Sequence, residues 1–161
     1  MHSVEEVVHF LDARKLQVAT AESCTAGLVT SLLADITGCG SVFEIGYVVY
    51  SEEAKHSCLG VSLKTMKDFG LTSEEVAREM AIGVLARSKA DIAIAITGTA
   101  ESNDELNGVV CFACAMMVNS QRELISETVS FDGDRNEVRL AAAKYVILQL
   151  PQYIEKLSPY R

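Results

Sequence analysis

The chain is poor in positive charge. Against 22 Asp and Glu it sets 14 Lys and Arg, a net charge of −8 over 161 residues. A generic nucleic-acid surface needs clustered cations, so that class of partner is excluded; a small anion at a local, well-aimed site is not. Long apolar runs are also missing. The longest, Val109 to Val118, has the length of a strand and falls well short of the roughly 18 residues of a membrane span. The opening segment MHSVEEVVHFLDARK is acidic and amphipathic, without the basic and apolar stretches of a signal peptide. The five cysteines, Cys24, Cys39, Cys58, Cys111 and Cys114, are odd in number in a chain too long to need staples, which argues against a disulfide framework. A cytoplasmic protein with reduced thiols and no membrane partner is expected. Linkers, repeats and low-complexity tracts are lacking, so residues 1–161 are expected to form one domain. Hydrophobic residues at 49% and charged ones at 22% are ordinary for a globular fold.

What is present is an alternation of helical and extended patterns. Val4, Val7, Val8 and Leu11 recur at helical spacing behind Ser3, a potential N-cap. Residues 17–20 read as a short strand and 23–34 as a helix with Leu28, Leu32 and Leu33 on its buried side. A glycine-bearing loop at 37–41 precedes a strand at 42–50. Ser51 followed by Glu52 and Glu53 opens a helix, Leu63 to Phe69 suits another, and Ser73-Glu74-Glu75 opens the clearest one. Isoleucines alternate with alanines over 92–96, two strands at 109–118 and 124–131 flank a turn, and a long helix over 134–150 is expected to stop at Pro151. This order predicts a three-layer helix–sheet–helix α/β domain with a mixed β-sheet.

Several segments carry potential chemistry. In TAESCTAG, residues 20–27, a strand passes into a helix through small polar residues. Ser23 there is either a helix cap or a nucleophile, and backbone N–H groups at a helix start suit an oxyanion. Tyr50 closes a strand and Lys55 lies a helical turn beyond it. They are either an interface tyrosine with a solvated lysine paired to Glu52, or an acceptor pair for a serine proton. Their spacing of five is not that of a short-chain dehydrogenase, and no glycine-rich dinucleotide fingerprint accompanies them. Arg135 and Arg139 share one face at the start of the last helix. They either clamp an anion or pair with Asp132, Asp134 or Glu137. Cys111 and Cys114 read as core cysteines, and His2, His9 and His56 have no ligand spacing. The acidic stretch ESNDE at 101–105 does not have the spacing of an EF-hand loop.

Taken together, TAESCTAG (20–27), ITGCGSVFEIGYVVYSEEAK (36–55), GLTSEEVAREMAIGV (70–84), ADIAIAITGTA (90–100) and FDGDRNEVR (131–139) resemble the CinA C-terminal domain family, the nicotinamide-nucleotide amidases. The resemblance implies an α/β layered fold, a homo-oligomer, and hydrolysis of the carboxamide of nicotinamide mononucleotide to the nicotinate form and ammonia. Neither a metal nor another cofactor is implied. It places the catalytic roles on Ser23, Tyr50 and Lys55, and substrate contacts on Thr25, Thr97, Gly98, Arg135 and Arg139. After Gly98 the family usually continues through a Gly/Pro-rich loop. Here residues 99–107 read TAESNDELN, with Glu101, Asp104 and Glu105 where glycines are usual. That exchange implies an alternative: a weak or inactive paralogue with a different ligand or a partner-binding role. Ala26 also stands where the family usually has glycine.

Overall fold

The computed structural model describes residues 2–159. Met1, Tyr160 and Arg161 of the expected 1–161 domain lie outside the described residues. The elements run α1 (Val4–Ala13), β1 (Val18–Glu22), α2 (Leu28–Ala34), β2 (Phe43–Val48), α3 (Glu52–Leu59), α4 (Leu63–Phe69), α5 (Glu74–Ala86), β3 (Ile92–Thr99), β4 (Val109–Val118), β5 (Gln121–Ser130) and α6 (Arg135–Leu157), with a single 3-10 turn at Cys39–Ser41. The strands form one sheet in the order β2-β1-β3-β4-β5. β1 is parallel to both β2 and β3; β4 and β5 are antiparallel additions, which makes the sheet mixed as expected.

Alternation along the strands divides the core into two layers. Val18, Ile92, Ile94, Ile96, Phe112 and Cys114 face α1, α2 and α6. The intervening Ala19, Ala21, Ala93, Ala95, Ala113 and Ala115 face the helices that carry Leu59, Met66, Val76, Met80 and Val84. Bulky side chains on one face and alanines on the other let α5 lie close over the middle strands. Gly83 permits a further close approach, since a Cβ there would stand 2.1 Å from the Leu59 carbonyl.

The helix expected over 23–34 begins only at Leu28. Residues 23–27 form a turn in which Ala26 and Gly27 take positive φ angles of 49° and 99°. Val29 joins Leu33 on the buried side, while Leu28 and Leu32 are half-buried. The β4–β5 hairpin closes through Asn119 and Ser120 alone, at φ 51° and 65°, the pattern of a type I′ turn.

Pro151 does not stop α6, which continues to Leu157. Proline removes one helical hydrogen bond, but the turns beyond it are held by burial of Tyr153 and Ile154. Glu127 on β5 accepts hydrogen bonds from both the Tyr145 and Tyr153 hydroxyls at 2.6 Å, one on either side of the proline. Burial and this carboxylate push the Tyr145 hydroxyl up to about 12 and raise the Tyr153 hydroxyl as well, so both stay donors at neutral pH. Pro151→Ala is therefore expected to stabilise the protein by about 1–3 kcal/mol in equilibrium urea unfolding, because it restores a helix bond within packing that already exists. A destabilised variant would show that proline at this position is needed for the docking of Tyr153.

Candidate active site

The parallel strands β1, β2 and β3 deliver their carboxyl ends to one edge of the sheet, where open α/β sheets place their sites. The antiparallel β5 ends at that edge too, and so brings the start of α6 there. The last paired residues of the three parallel strands are Glu22↔Val48 and Glu22↔Ile96. One step further, the Ser23 N–H donates to the Ile96 carbonyl at 3.0 Å and the Val49 N–H donates to the Glu22 carbonyl at 2.8 Å. The backbone of Ser23 thus runs between those of Val49 and Thr97.

The turn carrying Ser23 is organised by Glu22, a residue to which sequence reasoning gave no role. Glu22 has no exposed surface. Its Oε1 accepts the Thr25 hydroxyl at 2.6 Å and the N–H groups of Gly27 and Val29 at 3.1 and 3.0 Å. Its Oε2 accepts the Thr30 N–H at 3.1 Å. A carboxylate at the positive end of α2 replaces the missing local cap, since Gly27 offers no side chain. The cap acts five to eight residues along the chain from Glu22, so no local capping pattern in the sequence signals it.

This arrangement changes which N–H groups are free. Across the expected oxyanion run Cys24–Gly27, Ala26 N–H is bound to the Ser23 carbonyl and Gly27 N–H to Glu22. Among the described residues, the Cys24 and Thr25 N–H groups donate to no other residue. Ser23 is 7% exposed, and its hydroxyl has no hydrogen-bond partner among the described residues. Its neighbour Cys24 belongs to the opposite core layer, and burial pushes that thiol up to about 11, which keeps it protonated and a poor nucleophile at neutral pH.

Lys55 is not the solvated lysine of the simpler alternative. It is 1% exposed, and its Nζ donates to the Tyr50 carbonyl at 2.9 Å. Among the described residues no carboxylate lies within ion-pair distance of it. Burial drives its pKa below the ordinary lysine value; Cys24 and Glu52 act weakly in the other direction, and the Cys24 thiol is uncharged at neutral pH. Tyr50 follows Val49, whose N–H is bonded to the Glu22 carbonyl, so the amine lies at the strand end beside the serine turn. Tyr50 is 55% exposed, and its phenol oxygen accepts from Arg135 Nη2 at 3.0 Å. Tyr50 therefore holds Lys55 through its backbone and Arg135 through its side chain.

The residues expected to contact substrate divide sharply. Thr25 is fully buried with its hydroxyl committed to Glu22, so its side chain serves the turn and only its backbone N–H is open to a ligand. Thr97 donates to the Leu71 carbonyl at 2.9 Å. Gly98 answers a packing need, because a Cβ there would meet the Val109 carbonyl at 2.8 Å. Arg139 spends Nε on the Cys24 carbonyl at 2.8 Å, Nη2 on the Thr25 carbonyl at 3.3 Å and Nη1 on Asn136 at 3.1 Å. Arg135 keeps an exposed guanidinium at the rim. Neither arginine pairs with Asp134 or Glu137, which instead form the capping box of α6.

The 100–108 connection lies at the same edge and is folded on itself. Asp104 accepts from the Ser102 hydroxyl at 2.7 Å and the Leu106 N–H at 3.0 Å, and these bonds lower its pKa. Glu101 and Glu105 are exposed. A separate cleft of about 640 Å³, lined by Phe10, Arg14, Leu16, Asp91 and Ile154 among others, lies at the opposite end of the sheet and contains none of these groups.

The five-stranded mixed sheet, with helices on both faces and Ser23 and the buried Lys55 at the carboxyl edge of its parallel strands, is a layered α/β domain with a strand-end site. The model of the CinA C-terminal domain matches residues 1–154, and the chain belongs to that family. It is 41% identical over 156 residues to the nicotinamide-nucleotide amidohydrolase PncC of Escherichia coli (strain K12), covering 94% of this chain and 93% of that protein. Against the protein of the same name from Enterobacter agglomerans it is 39% identical over 144 residues, 87% of this chain and 86% of that one. Among solved structures, the competence damage-inducible protein A of Klebsiella pneumoniae subsp. pneumoniae MGH 78578 superposes with a TM-score of 0.85 at 31% identity, covering 99% of this chain and 100% of that chain.

Burial of a charged amine that has one neutral acceptor opposes folding. Lys55→Met is expected to melt at or above the wild-type temperature at pH 7 while losing function. The sign follows from linkage. The unfolded lysine holds its proton to higher pH than the folded one, so wild-type stability rises with pH through that interval and the variant's advantage shrinks. A variant that melts well below wild type at pH 7 would assign Lys55 a mainly structural role.

Proposed function

We propose that the chain is an amidohydrolase that removes the amide nitrogen of nicotinamide mononucleotide. The observation that carries this reading is the buried, carboxylate-free Lys55 beside the turn of Ser23. The names of the 41% and 39% identical relatives supply the substrate. Ser23 Oγ attacks the carboxamide carbon as its proton passes to the Lys55 amine, which burial keeps available as a base. The oxyanion falls to the free N–H groups of Cys24 and Thr25, while those further along are spent on Glu22 and Ser23. Collapse of the tetrahedral intermediate breaks the C–N bond, and Lys55 returns the proton to the departing ammonia. Water then attacks the acyl-serine, with Lys55 again the base, and nicotinate mononucleotide leaves. Tyr50 positions Lys55 through its carbonyl, and Arg135 is the exposed cation available to the substrate phosphate.

The activity is assigned to a homo-oligomer in the cytoplasm, where the five free cysteines remain reduced. No helix among the described residues is long and apolar enough to cross a membrane.

Ammonia release from nicotinamide mononucleotide by the purified chain tests the reading. Ser23→Ala and Lys55→Ala are each expected to lower kcat by about 10⁴-fold or more while the fold is kept, because a nucleophile and its base fail as a unit. Chelators are expected to leave the rate unchanged. Turnover that survives Ser23→Ala would remove the serine mechanism. A wild-type chain that binds the nucleotide without releasing ammonia would instead make this a non-enzymatic member of the family, with the acidic 101–105 segment as the departure to examine.

A further inference from the structure

Arg139 grips the backbone of the nucleophile turn, and the placement has a chemical consequence. In a trans peptide the C=O and N–H of one unit point in opposite directions. The Cys24 carbonyl, held by Arg139 Nε at 2.8 Å, shares its peptide unit with the Thr25 N–H. The same guanidinium reaches the Thr25 carbonyl at 3.3 Å, whose peptide unit contributes the Ala26 N–H already bound to the Ser23 carbonyl at 3.0 Å. From the other side Glu22 holds the Thr25 hydroxyl and the N–H groups at the start of α2. The turn is thus clamped by a cation on its carbonyls and an anion on its donors, and the Thr25 N–H is left free and aimed away from Arg139.

We propose that Arg139 is a positioning residue, and that its guanidinium fixes and polarises the Cys24–Thr25 peptide so that the Thr25 N–H becomes the principal donor to the oxyanion formed at Ser23. The inference rests on the amidase reading for the oxyanion, but the hold on the peptide stands apart from it. A cation on a carbonyl oxygen draws electron density from the amide and strengthens the N–H across the same unit. Lysine cannot reproduce this, because one ammonium does not span two carbonyls in the plane of a guanidinium. The role differs from that of a phosphate ligand, for which the donors Nε and Nη2 are already committed.

The test compares wild type, Arg139→Ala and Arg139→Lys on nicotinamide mononucleotide and on its dephosphorylated nucleoside, with ¹H–¹⁵N spectra of the same proteins without ligand. A positioning role predicts that both variants lose about 10- to 100-fold in kcat by the same factor on both substrates, part of the roughly 10²- to 10³-fold cost of deleting an oxyanion donor. KM should stay within about threefold of wild type, since ground-state binding is untouched. Added guanidinium should restore part of the Arg139→Ala rate, and the Thr25 amide resonance should move upfield. A rise in KM confined to the phosphorylated substrate, with kcat intact, would overturn the proposal and make Arg139 a phosphate ligand. An unmoved Thr25 resonance in Arg139→Ala would overturn it as well. If wild type hydrolyses neither substrate, the amidase reading fails, and the Thr25 resonance still decides whether Arg139 sets that N–H.

Discussion

The buried Glu22 carboxylate at the head of α2 is the interaction on which the site depends. A carboxylate without solvent contact is tolerated only when its oxygens are well supplied with donors, and here four converge on it. Those bonds delay the helix until Leu28 and force the chain between Ser23 and Gly27 into a turn that includes left-handed backbone at Ala26 and Gly27. A helix beginning at Ser23 would engage the serine hydroxyl as the cap of its own first turn. The late start leaves that hydroxyl unpartnered and the Cys24 and Thr25 N–H groups free.

Charge at the site runs against the charge of the whole molecule. The chain carries −8 overall, yet Lys55, Arg135 and Arg139 gather at one edge of the sheet. Topology brings them there: parallel strands end together, and the hairpin returns the chain so that α6 starts at the same edge. Each cation is bound to a neutral oxygen: Lys55 to a carbonyl, Arg135 to a phenol, Arg139 to two carbonyls and a side-chain amide. None of the three is ion-paired among the described residues, and the two arginines set permanent positive charge across the turn from the Glu22 carboxylate, which suits a site that handles an anionic substrate.

The layered fold and its mixed sheet were legible in the sequence because hydrophobic periodicity reports which faces are buried. The alternating isoleucines and alanines of 92–96 even indicate two unlike layers. The helix boundaries were less legible. Nothing near Leu28 in sequence reveals that a strand-end glutamate caps the helix through space, so the segment from Ser23 onward reads as helix. Pro151 reads as a stop because the local rule is strong, but the contacts of Tyr145 and Tyr153 with Glu127 on a distant strand override it. At the site, the types of residue were legible and their duties were not. Thr25, Thr97 and Arg139 are polar groups in the right segments, but only the three-dimensional partners reveal that each serves the protein's own backbone or Glu22.

The proposed mechanism requires Ser23 to become covalently attached to the acyl part of the substrate. Rapid-quench mass spectrometry of the purified chain mixed with nicotinamide mononucleotide tests it most directly. A transient adduct is expected on the peptide containing Ser23, with the mass of the substrate less ammonia, formed before nicotinate mononucleotide appears and absent from Ser23→Ala. Efficient ammonia release with no such adduct at any time, or an adduct on Cys24 in its place, would contradict it.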